Sequence, residues 1–258
     1  MSLILGGLTD AELRAQQVPI QVMPQNATQV RRFGQYSTVG TSFTMVDDLG
    51  ASTPWMPTVA SLVEVVSSSA SDAAAGLGAR KVILSGLDAS FNQVSETVTL
   101  NGLTPVASVV AFIRVTKAEV AEVGLYGGSN VGAILTRVVG GGTSILSITA
   151  TFGQTFSSHF CVPIGYYAGI SGANLSTDTG KAVDVLVMAR DGANIIAAPF
   201  RPLEAAQYFV GLAGSQHYDY EPPIPISPVT DVYIVAKTSA GTAAVSAEYW
   251  GWVAPVPV

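Results

Sequence analysis

The chain is short of charge. Asp, Glu, Lys and Arg make up 12% of its 258 residues, about half the roughly 25% of an ordinary soluble domain. A free monomer normally stays soluble through a mixed-charge surface. So few charges, with positive mean hydropathy, point to a surface covered by other protein. Cysteine is nearly absent: Cys161 stands alone, which excludes an intramolecular disulfide framework. Long apolar runs are missing too; none approaches the roughly 18 residues of a membrane span. Basic clusters are limited to Arg31-Arg32 and Arg80-Lys81, and the net charge is −6. Direct nucleic-acid binding is not expected, because phosphate contact needs a basic stripe. At the N-terminus Leu3, Ile4 and Leu5 lack a basic flank and run straight into Asp10, Glu12 and Arg14, which does not read as a secretory signal.

Concentrated catalytic chemistry is also lacking. There are two histidines, His159 and His217. Ser158 precedes His159, but neighbouring strand residues point to opposite faces, and no Gly-x-Ser-x-Gly elbow exists. Asp178-Thr179-Gly180 matches the short signature of aspartic proteases, which need two carboxylates sharing a proton. Lys181 follows it and the flanks are polar, so a turn explains it better. The glycine clusters at 76–78, 127–132 and 140–142 precede no helix and carry no Walker lysine, and read as turns. Cys161 and the histidines lack metal-ligand spacing. Asp47-Asp48, Asp184 and Asp191 would take calcium only if folding brought them together. No enzyme activity and no cofactor are expected.

What is present is strand. Val-rich and alternating runs cover 60–66, 81–85, 96–100, 109–116, 118–123, 134–139, 145–152, 160–164, 182–189, 195–200, 230–237 and 243–253. Gly86 to Ser95 and Gly140 to Thr143 lie between paired runs, as hairpin connections do. Val183, Val185 and Val187 share one face, and Trp250 and Trp252 share another. A short helical turn is allowed at 203–209. The pattern predicts an all-β, antiparallel β-sandwich or jelly-roll-like fold, as one large or two stacked β-domains.

Residues 1–50 read differently, as an N-terminal extended arm carrying a short helix. Thr9 can cap, Glu12 completes the capping box, and Leu8 can pack on Leu13. Leu3, Leu5, Leu8 and Leu13 need burial, which favours an arm that orders on a neighbouring subunit over a free tail. The β-region then divides into 51–140 and 141–258. Tyr218 to Pro228 is rich in Tyr and Pro and reads as a rigid extended connector. Tyr208, His217, Tyr218, Tyr220, Trp250 and Trp252 could gather at one end. The plain reading is packing of the connector on the last strand; the functional one is a subunit interface or a sugar-stacking platform. The candidate interaction residues are therefore Leu3, Leu5, Leu8, Leu13, Arg31, Arg32, Tyr218, Tyr220, Trp250 and Trp252.

Residues 69–80, running into Val82-Ile83-Leu84-Ser85-Gly86-Leu87-Asp88, and then Val94 to Gly102, resemble a block in virion structural proteins of tailed bacteriophages, especially marine and cyanobacterial ones. Tyr218, Pro222-Pro223-Ile224-Pro225-Ile226, Thr230-Asp231 and the strand at Ala244-Val245-Ser246 are similar as well. The resemblance spans about 60–135 and 200–250 and implies a virion protein made in the bacterial host cytoplasm. The expectation that follows is a capsid decoration or head-spike protein on the major capsid protein or other virion proteins, as a homo-oligomer, with a trimer as the working symmetry. A neck or tail component (an adaptor or fibre-anchoring ring) and a carbohydrate-binding receptor module are the alternatives.

Overall fold

The computed structural model describes residues 24, 26–178 and 180–256. Among these residues there is no helix, and sixteen strands carry the fold. In chain order they are β1 (Thr28–Val39), β2 (Thr44–Met45), β3 (Ser61–Ser67), β4 (Ala79–Leu87), β5 (Gln93–Thr99), β6 (Val106–Phe112), β7 (Arg114–Val123) and β8 (Ile134–Val138). Then follow β9 (Ser144–Ile148), β10 (Phe160–Cys161), β11 (Tyr166–Thr177), β12 (Val183–Arg190), β13 (Glu204–Leu212), β14 (Ser215–Ile226), β15 (Asp231–Thr238) and β16 (Ala243–Pro255).

Two sandwiches result. The first has the sheet β1-β16-β11-β14 facing the sheet β10-β15-β12-β13, with β2 added against β15. If β2 is set aside, its eight strands follow the order of a jelly roll, changing sheet at every step except from β12 to β13. Val183, Val185, Ile234, Ala236, Val245, Ala247 and Tyr249 fill the space between its sheets. The second sandwich is inserted between the first two jelly-roll strands. It has sheets β6-β3-β8-β9 and β5-β4-β7, packed around Val63, Val65, Val82, Leu84, Phe112 and Ile134. The all-β antiparallel expectation holds.

The alternation read in β12 holds too: Val183 and Val185 are fully buried, while Asp184 points outward to accept from Tyr208 and Gly211. Both hairpins form, β4 with β5 and β8 with β9.

Other segments differ from the reading above. Thr28–Val39, counted within the 1–50 arm, pairs with β16 along nearly its whole length. Tyr218 to Pro228, read as a connector, is largely strand β14. Residues 203–209, allowed a helical turn, lie mostly in strand β13, and 195–200, read as strand, form a bend flanked by irregular backbone. At 203–209 and 218–228 propensity lost to pairing: β13 and β14 are edge strands whose form is set by their one neighbour. The capping box at Thr9 to Glu12 and Leu3, Leu5, Leu8 and Leu13 lie outside the described residues, as does Thr179 of the Asp178-Thr179-Gly180 motif. Asp178 itself accepts from the Ala244 amide at 2.8 Å, a cross-strand tie.

Candidate functional site

The outer face of the sheet β1-β16-β11-β14 gathers most of the exposed chemistry. Strand alternation places Arg31 and Phe33 of β1, Glu248, Trp250 and Trp252 of β16, Asn174 of β11, and His217 and Asp219 of β14 on this one side. The two indoles lie across β11. Any Cβ at Gly169 would overlap Trp252, and any Cβ at Gly172 would overlap Trp250, so these glycines make room for the rings. His217 stacks beside Trp250 with centroids 5.4 Å apart and planes 20° apart. Tyr167 meets Trp252 edge-on at 5.2 Å. The polar groups form a cross-strand chain. Arg31 donates to Glu248, and Asn174 donates its amide to Glu248 at 3.2 Å. The Asn174 carbonyl bonds His217 at 2.6 Å, and His217 bonds Asp219 at 3.1 Å. The Arg31 hydrogen bond holds the Glu248 carboxyl below its usual range.

The predicted residues are therefore split. Arg31, Trp250 and Trp252 share the outer face. Arg32, one residue on, turns inward. Tyr218 and Tyr220 also turn inward: Tyr218 packs on Phe209 at 4.7 Å, and Tyr220 donates to Gln207 at 2.8 Å. Asn174, Glu248, His217 and Asp219 were not selected as a group from sequence. Their signal was positional, at alternate residues of strands that pair, and β11 and β14 were not recognised as strands.

A second concentration of charge is buried where the sandwiches meet. Asp231, at the start of β15, accepts two hydrogen bonds from Arg114 of β7, at 2.9 and 2.8 Å. His159 bonds the same carboxylate at 3.1 Å, and Arg190 stands 3.6 Å away. Arg114 and Asp231 are fully buried. Burial alone would raise the Asp231 carboxyl, but the hydrogen bonds from His159 and Arg114 hold it far below the usual range. Burial pushes the His159 imidazole down and the Cys161 thiol well up. A neutral thiol and an imidazole bonded to a carboxylate already shared by two arginines make a structural knot rather than a nucleophile with its base. Among the described residues no three His, Cys, Asp or Glu side chains gather as a metal site. Asp47 and Asp48 stay together near the junction, where burial pushes the Asp48 carboxyl up to about 6. Asp184 and Asp191 bond elsewhere.

No family model matches the chain, and no curated protein matches it. Among solved structures, the Gx strain of infectious bursal disease virus aligns over 89% of this chain and 71% of its own, at 10% identity and a TM-score of 0.23. The Gt strain aligns over 90% and 80%, at 10% identity and a TM-score of 0.21. The VP2 subviral particle of the same virus aligns over 88% and 71%, at 12% identity and a TM-score of 0.20. Overlap at that level gives the chain no family.

Proposed function

We propose that the chain is a structural protein of a tailed-bacteriophage virion, a decoration or head-spike subunit bound to the capsid shell. The observation that carries an assembly role is strand β13. It is the free edge of its sheet, and of its nine residues only Glu204 is charged. Tyr208 is 53% exposed and Val210 69%. Exposed Ile195, Ile196 and Phe200 precede it. Monomeric proteins guard such edges with charge, proline or a covering element. An unguarded apolar edge suits pairing with another subunit, as a homo-oligomer, a trimer on the simplest cyclic count above two. The jelly roll hosts capsid and lectin domains alike, so the virion assignment rests on the sequence resemblance and not on the fold. Because Thr28–Val39 belongs to the sheet, an anchoring role falls to the residues before it.

Stoichiometry in purified particles, by quantitative mass spectrometry against the major shell protein, tests this reading. Hundreds of copies support decoration. A few to a dozen move the protein to a vertex, neck or tail ring, and absence from particles removes the virion reading. A second reading, a glycan-binding module, is favoured by the two indoles seated against Gly169 and Gly172 beside amide and carboxylate groups. Loss of glycan binding in a folded Trp250→Ala variant would support it.

A further inference from the structure

Arg32 has no acceptor. Its Nε is sealed from solvent with no hydrogen-bond partner, and its guanidinium makes neither an ion pair nor a hydrogen bond with any described residue. Its guanidinium lies over the Phe160 ring, 5.2 Å from the centroid. That contact favours the cation but leaves the Nε donor unmet. Burial lowers the Arg32 pKa, the mark of a cation short of solvation. The acids nearby are taken: Asp231 by Arg114, His159 and Arg190, and Glu248 by Arg31 and Asn174. Arg32 is half-buried, and a partly desolvated cation without a carboxylate partner is one that an anion would stabilise.

A cleft of about 310 Å³ opens between the β4–β5 hairpin and β10, with Arg32 at its wall. Ser85, Gln93, Ser95 and Thr116 are among its polar lining residues. Arg32 is the only charged residue among those lining it. A guanidinium fork surrounded by neutral donors, with no carboxylate to compete, matches the geometry of bidentate oxyanion recognition.

We propose that this cleft binds a small oxyanion, a carboxylate or phosphate group, on Arg32. The ligand would lie where the two sandwiches face each other, so its binding would stiffen their junction.

The test uses the full chain in chloride, acetate and phosphate at equal ionic strength, with thermal melting as the readout. The expected result is a rise of a few degrees for the wild type in acetate, phosphate or both, relative to chloride, because a ligand bound only by the folded state stabilises it. The anion that acts tells carboxylate from phosphate. Arg32→Met should lose the rise, and in chloride it should melt at or above the wild-type temperature, since it removes an unpaired, half-buried charge. General salting effects act on both proteins alike. A second variant, Ser95→Trp, changes an exposed residue at the cleft and keeps Arg32. It should lose the rise as well, which keeps the test valid if Arg32→Met fails to fold. A wild type unmoved by both anions, or a rise of equal size in Ser95→Trp or a folded Arg32→Met, would overturn the proposal.

Discussion

Each sandwich buries one carboxylate completely, and the two are held by different means. Asp72, in the inserted sandwich, accepts from the amides of Ala79, Val131 and Gly132, each at 2.8 Å, and from the Ser67 hydroxyl at 2.6 Å. All four donors are neutral and belong to the same sandwich. Asp231, in the jelly roll, is held by Arg114 and Arg190 and by His159. Its strongest partner comes from the other sandwich. Neutral amides can solvate a buried carboxylate without importing a second charge, and they pin the loops that supply them. An arginine brings its own desolvation cost, offset only while the pair is intact. Asp72 thus organises a module from within, and Asp231 fastens one module to the other.

The largest expected effect separates these cases. Asp231→Asn leaves Arg114 buried without an anion and should cost about 3–5 kcal/mol, read by denaturant unfolding. Asp72→Asn keeps one acceptor oxygen but turns an amide group toward backbone N–H donors. A cost of about 1–3 kcal/mol is expected, the scale of unsatisfied buried donors. Equal costs at the two positions would erase the distinction between them.

Acid sharpens it further. The Asp231 pKa is depressed in the fold, so its contribution is present above the unfolded carboxyl value near 4 and fades as pH falls below it. The His159 pKa is lowered by burial, so the unfolded chain takes up a proton first once pH drops below about 6.5. Both losses run in the same direction. Hydrogen exchange should show the junction around β10, β15 and β7 opening on acidification before the interior of the inserted sandwich. The opposite order would place the acid-sensitive contacts elsewhere. Asp48 has the reverse sign: its carboxyl is pushed up to about 6, so its burial subtracts stability as pH rises from about 4 to 6. Asp48→Asn should therefore raise the melting temperature slightly at pH 7 and leave it unchanged near pH 4, the smallest of these effects.

Legibility in the sequence followed the same division. The inserted sandwich reads well because its strands are Val- and Ile-rich and its hairpins are local, as in β4–β5 and β8–β9. The jelly roll reads poorly where long-range pairing decides the structure. β1 is polar and Gln-bearing because it is an edge strand, and of its residues Val30, Tyr36 and Val39 carry its packing on the apolar core. β11 looks like a loop because its glycines admit the indoles of Trp250 and Trp252. β14 carries Pro222 and Pro223, which fall where its register against β11 slips, between the Ile170 and Gly172 pairings; proline is tolerated at such irregular edge positions. Arg31-Arg32 was selected as a unit, yet alternation sends one side chain to each face. The Arg114–Asp231 pair joins residues 117 apart, and no local pattern announces it.

Insertion of one sandwich between the first two strands of the other also dictates an order of events during synthesis. The inserted sandwich spans β3 to β9 and finds its partners within its own stretch of chain. β1 must wait for β16: Arg31 meets Glu248 across 217 residues. As the polypeptide emerges from the ribosome, residues 61–148 have all their strand partners in hand while β1 is still an unpaired edge, and long-range pairing of this kind is slow and aggregation-exposed. The sparse apolar content of β1, with Arg31, Arg32, Gln29 and Gln35 along its length, keeps that waiting strand soluble until the last strand of the chain arrives.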